Sequence, residues 1–138
     1  MKIKEVTLND LNEVILSEKK LFKEELRINQ KELERFINDE KTVFYKIEDD
    51  EHQLIGYIIA EPKKKNIILH RIAINSDYQH QGFGSLLLIH VETLDLPITA
   101  YVNASSHIAI NFFEANKFNQ IDSDSKGLKY EKQPSRNK

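Results

Sequence analysis

The spacing of apolar residues changes several times along the chain, and each change marks a new structural element. Residues 2–6 alternate between polar and apolar, which is typical of a short strand. Thr7 and Asp10 follow, and their spacing predicts a capping box at a helix start. Two helical patterns come next, namely Leu8, Leu11, Val14 and Ile15, and then Leu33, Phe36 and Ile37. The chain is therefore predicted to open with one strand and two helices.

The middle of the chain is rich in β-forming residues. Residues 42–48 and 53–61 flank a polar turn and predict a hairpin, and residues 66–74 predict a third, central strand because they are so apolar. Beyond that point helical patterns occupy 82–94 and 106–116, and strand patterns occupy 98–102, 118–122 and 128–132. The predicted order is strand, helix, helix, three strands, helix, strand, helix, two strands. This order implies an α/β fold of the mixed α+β kind, with a crossover packed on a mixed sheet.

Composition narrows the possible classes of protein. The 138 residues, 40% apolar and 30% charged, suit one domain at 1–133, with a flexible tail at 134–138. The net charge of −2 and the short lysine clusters argue against a nucleic-acid partner. Apolar runs fall short of the ~20 residues that span a bilayer, and no signal peptide is visible, so we expect no membrane contact and a cytoplasmic location. The lack of cysteine excludes disulfides, and no ligand spacing suggests a metal site.

Two of the four glycines, Gly82 and Gly84, stand where a strand leads into a helix. A helix start offers free amides and a positive dipole end, so glycine there favours a phosphate site. The dinucleotide pattern is incomplete because position 87 is leucine, and the P-loop lysine between Gly84 and Ser85 is missing. From these residues alone, a tight turn that merely needs glycine stays open as the alternative.

A longer segment carries a family resemblance. Gln79-His80-Gln81-Gly82-Phe83-Gly84 fits the pattern Gln/Arg-x-x-Gly-x-Gly/Ala and resembles the acyl-CoA signature of the GNAT N-acetyltransferases. Residues 72–78 resemble the strand and loop that precede this signature, and residues 102–118 resemble the second motif of the family. The resemblance covers most of the chain. It implies a central, mostly antiparallel sheet of six or seven strands, flanked by about four helices.

The same resemblance implies a binding mode for acetyl-CoA. Amides of residues 81–85 would hold the pyrophosphate, and strand 72–74 would pair with the pantetheine where it splays from strand 98–102. Phe112 and Phe113 would wall the cleft, and an amine acceptor would enter past the N-terminal helices. A homodimer would be typical of the family. The implied coenzyme-binding residues are Ile72, Ala73, Ile74, Gln79, His80, Gln81, Gly82, Phe83, Gly84, Ser85, Asn103, Ser106, Phe112 and Phe113.

Several positions depart from the family pattern. Phe113 replaces a tyrosine that is thought to protonate the leaving thiolate. This predicts a slower enzyme, another proton donor such as Tyr101 or water, or lost activity. Ser106 replaces an asparagine and is expected to cap the second-motif helix. Lys117 replaces a glycine, so we expect the neighbouring Asn116 to take the left-handed turn.

The general base is open at this stage. His70 in Leu69-His70-Arg71-Ile72-Ala73-Ile74 resembles the histidine of the arylalkylamine acetyltransferases and is a candidate base. The alternative is a histidine on the outer face of the sheet, bonded to a neighbour.

The resemblance favours acetyl transfer from acetyl-CoA to a primary amine by direct attack. One alternative is a non-catalytic acyl-CoA-binding sensor, which Phe113 motivates. The other is an interaction domain without a coenzyme site.

Overall fold

The computed structural model describes residues 1–125 and 127–134. It contains every predicted element in the predicted order, and residues 135–138 of the expected tail lie outside the described residues. The elements are β1 (Lys2–Glu5), α1 (Leu11–Leu21), α2 (Gln30–Asn38), β2 (Val43–Glu48), β3 (Leu54–Pro62), β4 (Ile67–Ile74), α3 (Phe83–Glu92), β5 (Ile98–Val102), α4 (His107–Ala115), β6 (Asn119–Asp124) and β7 (Gly127–Lys132).

The start of the first helix differs slightly from the prediction. A 3-10 turn, Leu8–Asp10, precedes α1, and the Asp10 carboxylate accepts a 2.9 Å bond from the Thr7 amide. None of the helices in the described ranges has the length and apolar character that crossing a membrane requires.

The seven strands form one sheet in the order β1-β2-β3-β4-β5-β7-β6. Among the described strands, β4 and β5 run parallel, and the other neighbouring pairs are antiparallel. Because parallel neighbours need a crossover, α3 connects these two strands across one face of the sheet. The expected mixed, mostly antiparallel sheet is confirmed, and so is the central position of β4.

The contact between β4 and β5 is short. Ile67 pairs with Ile98, Ile68 with Thr99 and Leu69 with Ala100, and no pair follows in the described sheet. β4 nevertheless continues to Ile74, so the edge of its last five residues is free of β5. We call this divergence the splay, and it lies where the family resemblance expected it.

A β-bulge lies in β4 at the start of the splay. Arg71 is opposite Ile59 of β3, whereas Leu69 is opposite Ala60, so His70 is the extra residue. A bulge interrupts the alternation of side chains between the two faces. His70 and Arg71 therefore both point to the face covered by α1 and α2, where His70 contacts Phe36.

Apolar residues fill the space on both sides of the sheet. On one face, Leu87, Leu88 and Val91 of α3 pack with Phe113 and with the strands. On the other face, Val14 of α1 and Leu33 and Phe36 of α2 pack against Tyr57, Ile59 and Ala73. The splay thus opens between two helical layers, one on each face.

Candidate functional site

The chain between β4 and α3 ends in a left-handed residue. Gly82, the residue before α3, has φ = +85°, a conformation that glycine adopts without strain. A Cβ built on Gly82 would have no atom within 4 Å, so open space lies in front of it. The Gly82 carbonyl accepts the first helical bond, from Leu86 at 3.1 Å. The amides of Phe83, Gly84 and Ser85 precede that bond and have no acceptor within the helix.

Gly84 has a different role from Gly82. A Cβ on Gly84 would lie 2.7 Å from Cε1 of Phe112, which is closer than real side chains approach. Glycine at this position therefore lets the Phe112 ring of α4 rest against the start of α3. The sequence motif suggests an approaching anion at both glycines, whereas the structure shows that Gly84 is also needed for packing.

Side chains of the preceding loop bond to the loop's own backbone. Gln79 donates to the Ile74 carbonyl at 2.9 Å, and Gln81 donates to the Asp77 carbonyl at 3.1 Å. Tyr78 donates to the Asp49 carboxylate at 2.9 Å, and this bond raises the pKa of Tyr78. The loop is thus held by its own hydrogen bonds, which engage both glutamine side chains.

Asn116 joins the start of α3 to the end of α4. Its Oδ1 accepts a 2.9 Å bond from the Ser85 hydroxyl, and its Nδ2 donates to the Phe112 carbonyl at 2.9 Å. The expected left-handed conformation of Asn116 is wrong: its φ is −95°, and Lys117 has φ = +70° instead. The two side-chain bonds explain this, because they hold Asn116 in the last turn of the helix. The sequence motifs do not indicate this contact of Asn116 with the start of α3.

The two phenylalanines of α4 occupy different environments. Phe113 is only 6% exposed, and its ring lies 5.0 Å from that of Phe118 and 6.3 Å from that of Tyr130. Phe112 is half-buried and contacts the Gly84 position. Phe113 is therefore a core residue, and Phe112 is the ring that adjoins the α3 start.

The loop between β5 and α4 is organised by Asn103. Its Oδ1 accepts bonds from the Ser105 amide at 2.9 Å and the Ser105 hydroxyl at 2.7 Å. Its carbonyl accepts a 3.0 Å bond from the Ser106 amide. The expected cap is wrong, because the Ser106 hydroxyl makes no capping bond to α4 in the described chain. The Asn103 turn fixes Ser106 at φ −89° and ψ 86°, outside the extended conformation that a capping serine usually adopts.

His70 and Tyr101 occupy the first positions beyond the last β4–β5 pair, one on each strand. His70 Nε2 lies 2.9 Å from Oε1 of Glu61, and its ring lies 4.8 Å from that of Phe36. Tyr101 is 59% exposed and points to the same face as His70, because Ala100 and Val102 point to the α3 and α4 side. The bond to Glu61 is what the alternative, a histidine on the outer face of the sheet bonded to a neighbour, leads one to expect. The catalytic roles of His70 and Tyr101 stay predictions.

A buried charge network lies on the same face. Glu18 of α1 is 2% exposed and accepts bonds from Arg71 at 2.9 and 3.1 Å and from the Ile28 amide at 2.9 Å. Tyr57 also donates to Glu18, and burial together with this carboxylate raises the pKa of Tyr57 far above its usual range. The network anchors the connection between α1 and α2 to the sheet. The network could not be predicted from the sequence, because it joins residues far apart in the chain.

The comparisons with known proteins agree with this architecture. A family model described as an acetyltransferase (GNAT) domain matches residues 40–120, which is more than half of the 138 residues. The chain therefore belongs to the GNAT acetyltransferase family and is an acyltransferase. The predicted family is confirmed. No curated protein sequence matches the chain.

Solved structures show the same fold. PaiA N-acetyltransferase from Thermoplasma acidophilum, in complex with coenzyme A, is 21% identical with a TM-score of 0.82, over 96% of this chain and 98% of that one. The ribosomal-protein-S18-alanine N-acetyltransferase of Escherichia coli is 21% identical with a TM-score of 0.74, over 94% and 88%. NAA60 of Arabidopsis thaliana, in complex with a bisubstrate analogue, is 12% identical with a TM-score of 0.75, over 94% of both chains.

Proposed function

We propose that this protein is an N-acetyltransferase that moves the acetyl group of acetyl-CoA to a primary amine. The observation that carries the proposal is the start of α3, where the amides of Phe83, Gly84 and Ser85 adjoin the open space at Gly82. A diphosphate suits such a site because free amides and the helix dipole both favour negative charge. The family assignment makes the donor an acyl-CoA.

The splay suits the rest of the coenzyme. Beyond Leu69 the edge of β4 has no partner in β5, so the backbone of Ile72, Ala73 and Ile74 can pair with an extended amide chain. The pantetheine of acetyl-CoA is such a chain. With its pyrophosphate at α3, the thioester would lie near the start of the splay, between His70 and Tyr101. PaiA N-acetyltransferase, which has this fold and is in complex with coenzyme A, supports coenzyme A as the ligand.

The reaction needs one bond formed, one bond broken and two protons moved. The bound ammonium first loses a proton to a base, and its nitrogen then attacks the thioester carbonyl carbon. The new N–C bond replaces the C–S bond, the nitrogen loses its second proton, and the sulfur gains one. A backbone amide of β4 would stabilise the negative charge on the carbonyl oxygen. Tyr101 or water would supply the proton to sulfur, since Phe113 has no hydroxyl.

The proposal assigns an amine acceptor without choosing its size. Two of the similar structures bear on this: one is named for the alanine of a ribosomal protein, and another is the NatB acetyltransferase complex bound to a bisubstrate inhibitor. The face that carries His70 is the side from which an acceptor would reach the splay, past α1 and α2. A peptide N-terminus and a small primary amine would both present the nitrogen that the reaction requires.

The experiment compares coenzyme binding and acetyl transfer in two variants of one residue. Gly82→Glu puts a carboxylate into the open space where the phosphates would bind, whereas Gly82→Ala changes the backbone strain with little added bulk. Calorimetry with acetyl-CoA should show binding to the natural protein, weaker binding to the alanine variant and none to the glutamate variant. Release of free thiol with a panel of amines and peptides measures transfer.

Each result has a clear meaning. Equal affinity of the Gly82→Glu variant for acetyl-CoA would overturn the proposed site. Tight binding without thiol release from any acceptor would favour a non-catalytic sensor, the alternative that Phe113 motivates.

A further inference from the structure

We propose that Glu61 is a positioning residue, which holds the His70 imidazole with Nδ1 free to take the proton from the acceptor amine. This inference rests on the proposed function and adds a residue that neither the family motifs nor the sequence pattern identify. Glu61 lies near the end of β3, opposite Ile68 of β4. Because Ile67 and Leu69 point to the α3 face, Ile68 and His70 point to the α1 and α2 face, which Glu61 shares with its partner Ile68.

The geometry fixes the ring from two sides. Oε1 of Glu61 lies 2.9 Å from Nε2 of His70, and the ring rests on Phe36 of α2 at 4.8 Å. The other carboxylate oxygen, Oε2, lies 3.2 Å from the Lys63 ammonium. The Lys63 contact orients the carboxylate, so Oε1 remains directed at the imidazole. The His70 side chain keeps 29% of its surface exposed, which gives a substrate access to it.

The hydrogen bond also fixes which ring nitrogen carries the proton. The bond from His70 lowers the pKa of Glu61, with a further contribution from Lys63, so Glu61 is a carboxylate at neutral pH. An ionised carboxylate only accepts hydrogen bonds, and therefore Nε2 must donate. In a neutral imidazole the lone pair then lies on Nδ1. No group within the described residues bonds to Nδ1.

The position is suitable for proton transfer. His70 is the first residue of β4 beyond the pairing with β5, so it adjoins the end of the splay where the thioester would lie. The other charged groups around it are Glu32 and Arg35 of α2, which pair with each other at 3.1 Å, and Lys63. The ammonium gives its proton to Nδ1, and Glu61 stabilises the resulting imidazolium. The freed amine attacks as described above, and the imidazolium releases its proton to water.

The test replaces Glu61 by glutamine, which has the same shape but can donate to Nε2. With its oxygen held by the Lys63 ammonium, the amide would direct its nitrogen to Nε2, put the proton on Nδ1 and remove the base. We expect kcat to fall on the order of 10²-fold, a typical loss for general-base catalysis, with an unchanged KM for acetyl-CoA. His70→Gln should lose as much, and the double variant should lose no more, because the two residues act as one unit.

The control variant is Glu32→Gln, which removes a nearby negative charge but no bond to His70. It should retain kcat within about twofold if charge alone does not matter. Nitrogen NMR of the resting protein provides a readout that needs no turnover, with the His70 signal assigned by its loss in His70→Gln. The natural protein should show the proton on Nε2, and Glu61→Gln should show it on Nδ1.

The outcomes separate this inference from the proposed function. Normal kcat in Glu61→Gln, or a resting His70 protonated only on Nδ1, would overturn the role of Glu61 and leave acetyl transfer intact. Loss of kcat in Glu32→Gln equal to that in Glu61→Gln would also overturn it, because a general charge effect would then suffice. A natural protein that transfers to no amine would overturn the proposed function itself.

Discussion

Individual residues in this protein adopt conformations that their side chains disfavour. His80 and Lys117 have φ values of +64° and +70°, in the left-handed region. A residue with a Cβ pays roughly 1–2 kcal/mol for this conformation, whereas glycine does not. His80 lies two residues before Gly82, and Lys117 follows Asn116, so both strained residues adjoin the start of α3. The neighbouring hydrogen bonds of Gln79 and Asn116 hold the chain in these turns.

The Lys117 conformation leads to a stability prediction. Lys117→Gly should raise the free energy of unfolding by about 1 kcal/mol, because glycine adopts this φ without a clash. Urea unfolding of both proteins measures the difference. The matched control is Asn116→Gly one position earlier, where φ is negative and two side-chain bonds would be lost. That control should be destabilised, and stabilisation of both variants would contradict the assignment of strain to Lys117.

The contact between Gly84 and Phe112 leads to a second prediction. Gly84→Ala should cost about 1–3 kcal/mol, since the new methyl group would overlap the Phe112 ring. In a Phe112→Leu background the same change should cost clearly less, because leucine leaves room beside α3. Unfolding free energies of the four proteins in the cycle give the coupling between the two positions. Additive effects would show that Phe112 does not restrict position 84.

At the scale of elements, local patterns predicted most of the fold. Most helices and strands follow from the period of their apolar residues, and the observed bounds differ from the predicted ones mainly at the ends. The strand order was harder to predict, because the position of β7 between β5 and β6 depends on pairing between segments that are distant in the sequence. The bulge at His70 was also hidden, since it appears only when Ile59 and Ala60 are matched with β4.

Some features of the candidate site could likewise be predicted from the sequence, and others could not. The glycine at position 82 follows from a motif that is local in sequence, and the unpaired edge of β4 was implied by the family resemblance. The bonds of Glu61 to His70 and of Glu18 to Arg71 follow from neither, because each joins two elements whose register the sequence does not state. The helix end at Lys117 was predicted one residue too early, since the side chain of Asn116 was needed to decide it.

The connection between α1 and α2 depends on the buried Glu18. Its carboxylate holds Arg71 and the Ile28 amide, and Arg71 also donates to the Leu26 carbonyl at 2.6 Å. Glu18→Gln should cost about 3–5 kcal/mol, because Arg71 would remain buried without its counter-charge. Hydrogen exchange at Ile28 should become faster as well. Glu25→Gln, an exposed change in the same connection, should do neither, and equal effects of both would contradict this account.

At the scale of the whole molecule, one cluster of charges joins the N-terminal strand to the sheet. Glu48 of β2 is nearly buried and bonds to Lys4 at 2.8 Å, to Lys46 at 3.1 Å and to His52 at 3.3 Å. These three bonds lower the pKa of Glu48 from its ordinary value of 4.5 to about 2. Lys46 also pairs with Asp10 at 2.6 Å, so the cluster ties β1 and the start of α1 to β2.

The lowered pKa of Glu48 predicts how the stability of the fold changes at acid pH. Between pH 4.5 and about pH 2, Glu48 is protonated in the unfolded chain but ionised in the folded chain. The free energy of unfolding therefore decreases as the pH falls through this interval. Glu48→Gln should be less stable at pH 7 by about 1–3 kcal/mol, the range for bonds to charged groups. The difference should shrink toward pH 2. Urea unfolding at several pH values measures both curves, and a constant difference would refute the linkage.

The three residue pairs between β4 and β5 have a mechanical consequence. They divide the sheet into a part of four strands and a part of three strands, and the backbone pairing between the two parts is short. A molecule bound in the splay would form hydrogen bonds with the backbone of both parts and would extend the pairing between them. Binding should therefore make the whole sheet more rigid. The force needed to pull β1 and β6 apart should be greater with the molecule bound than without it.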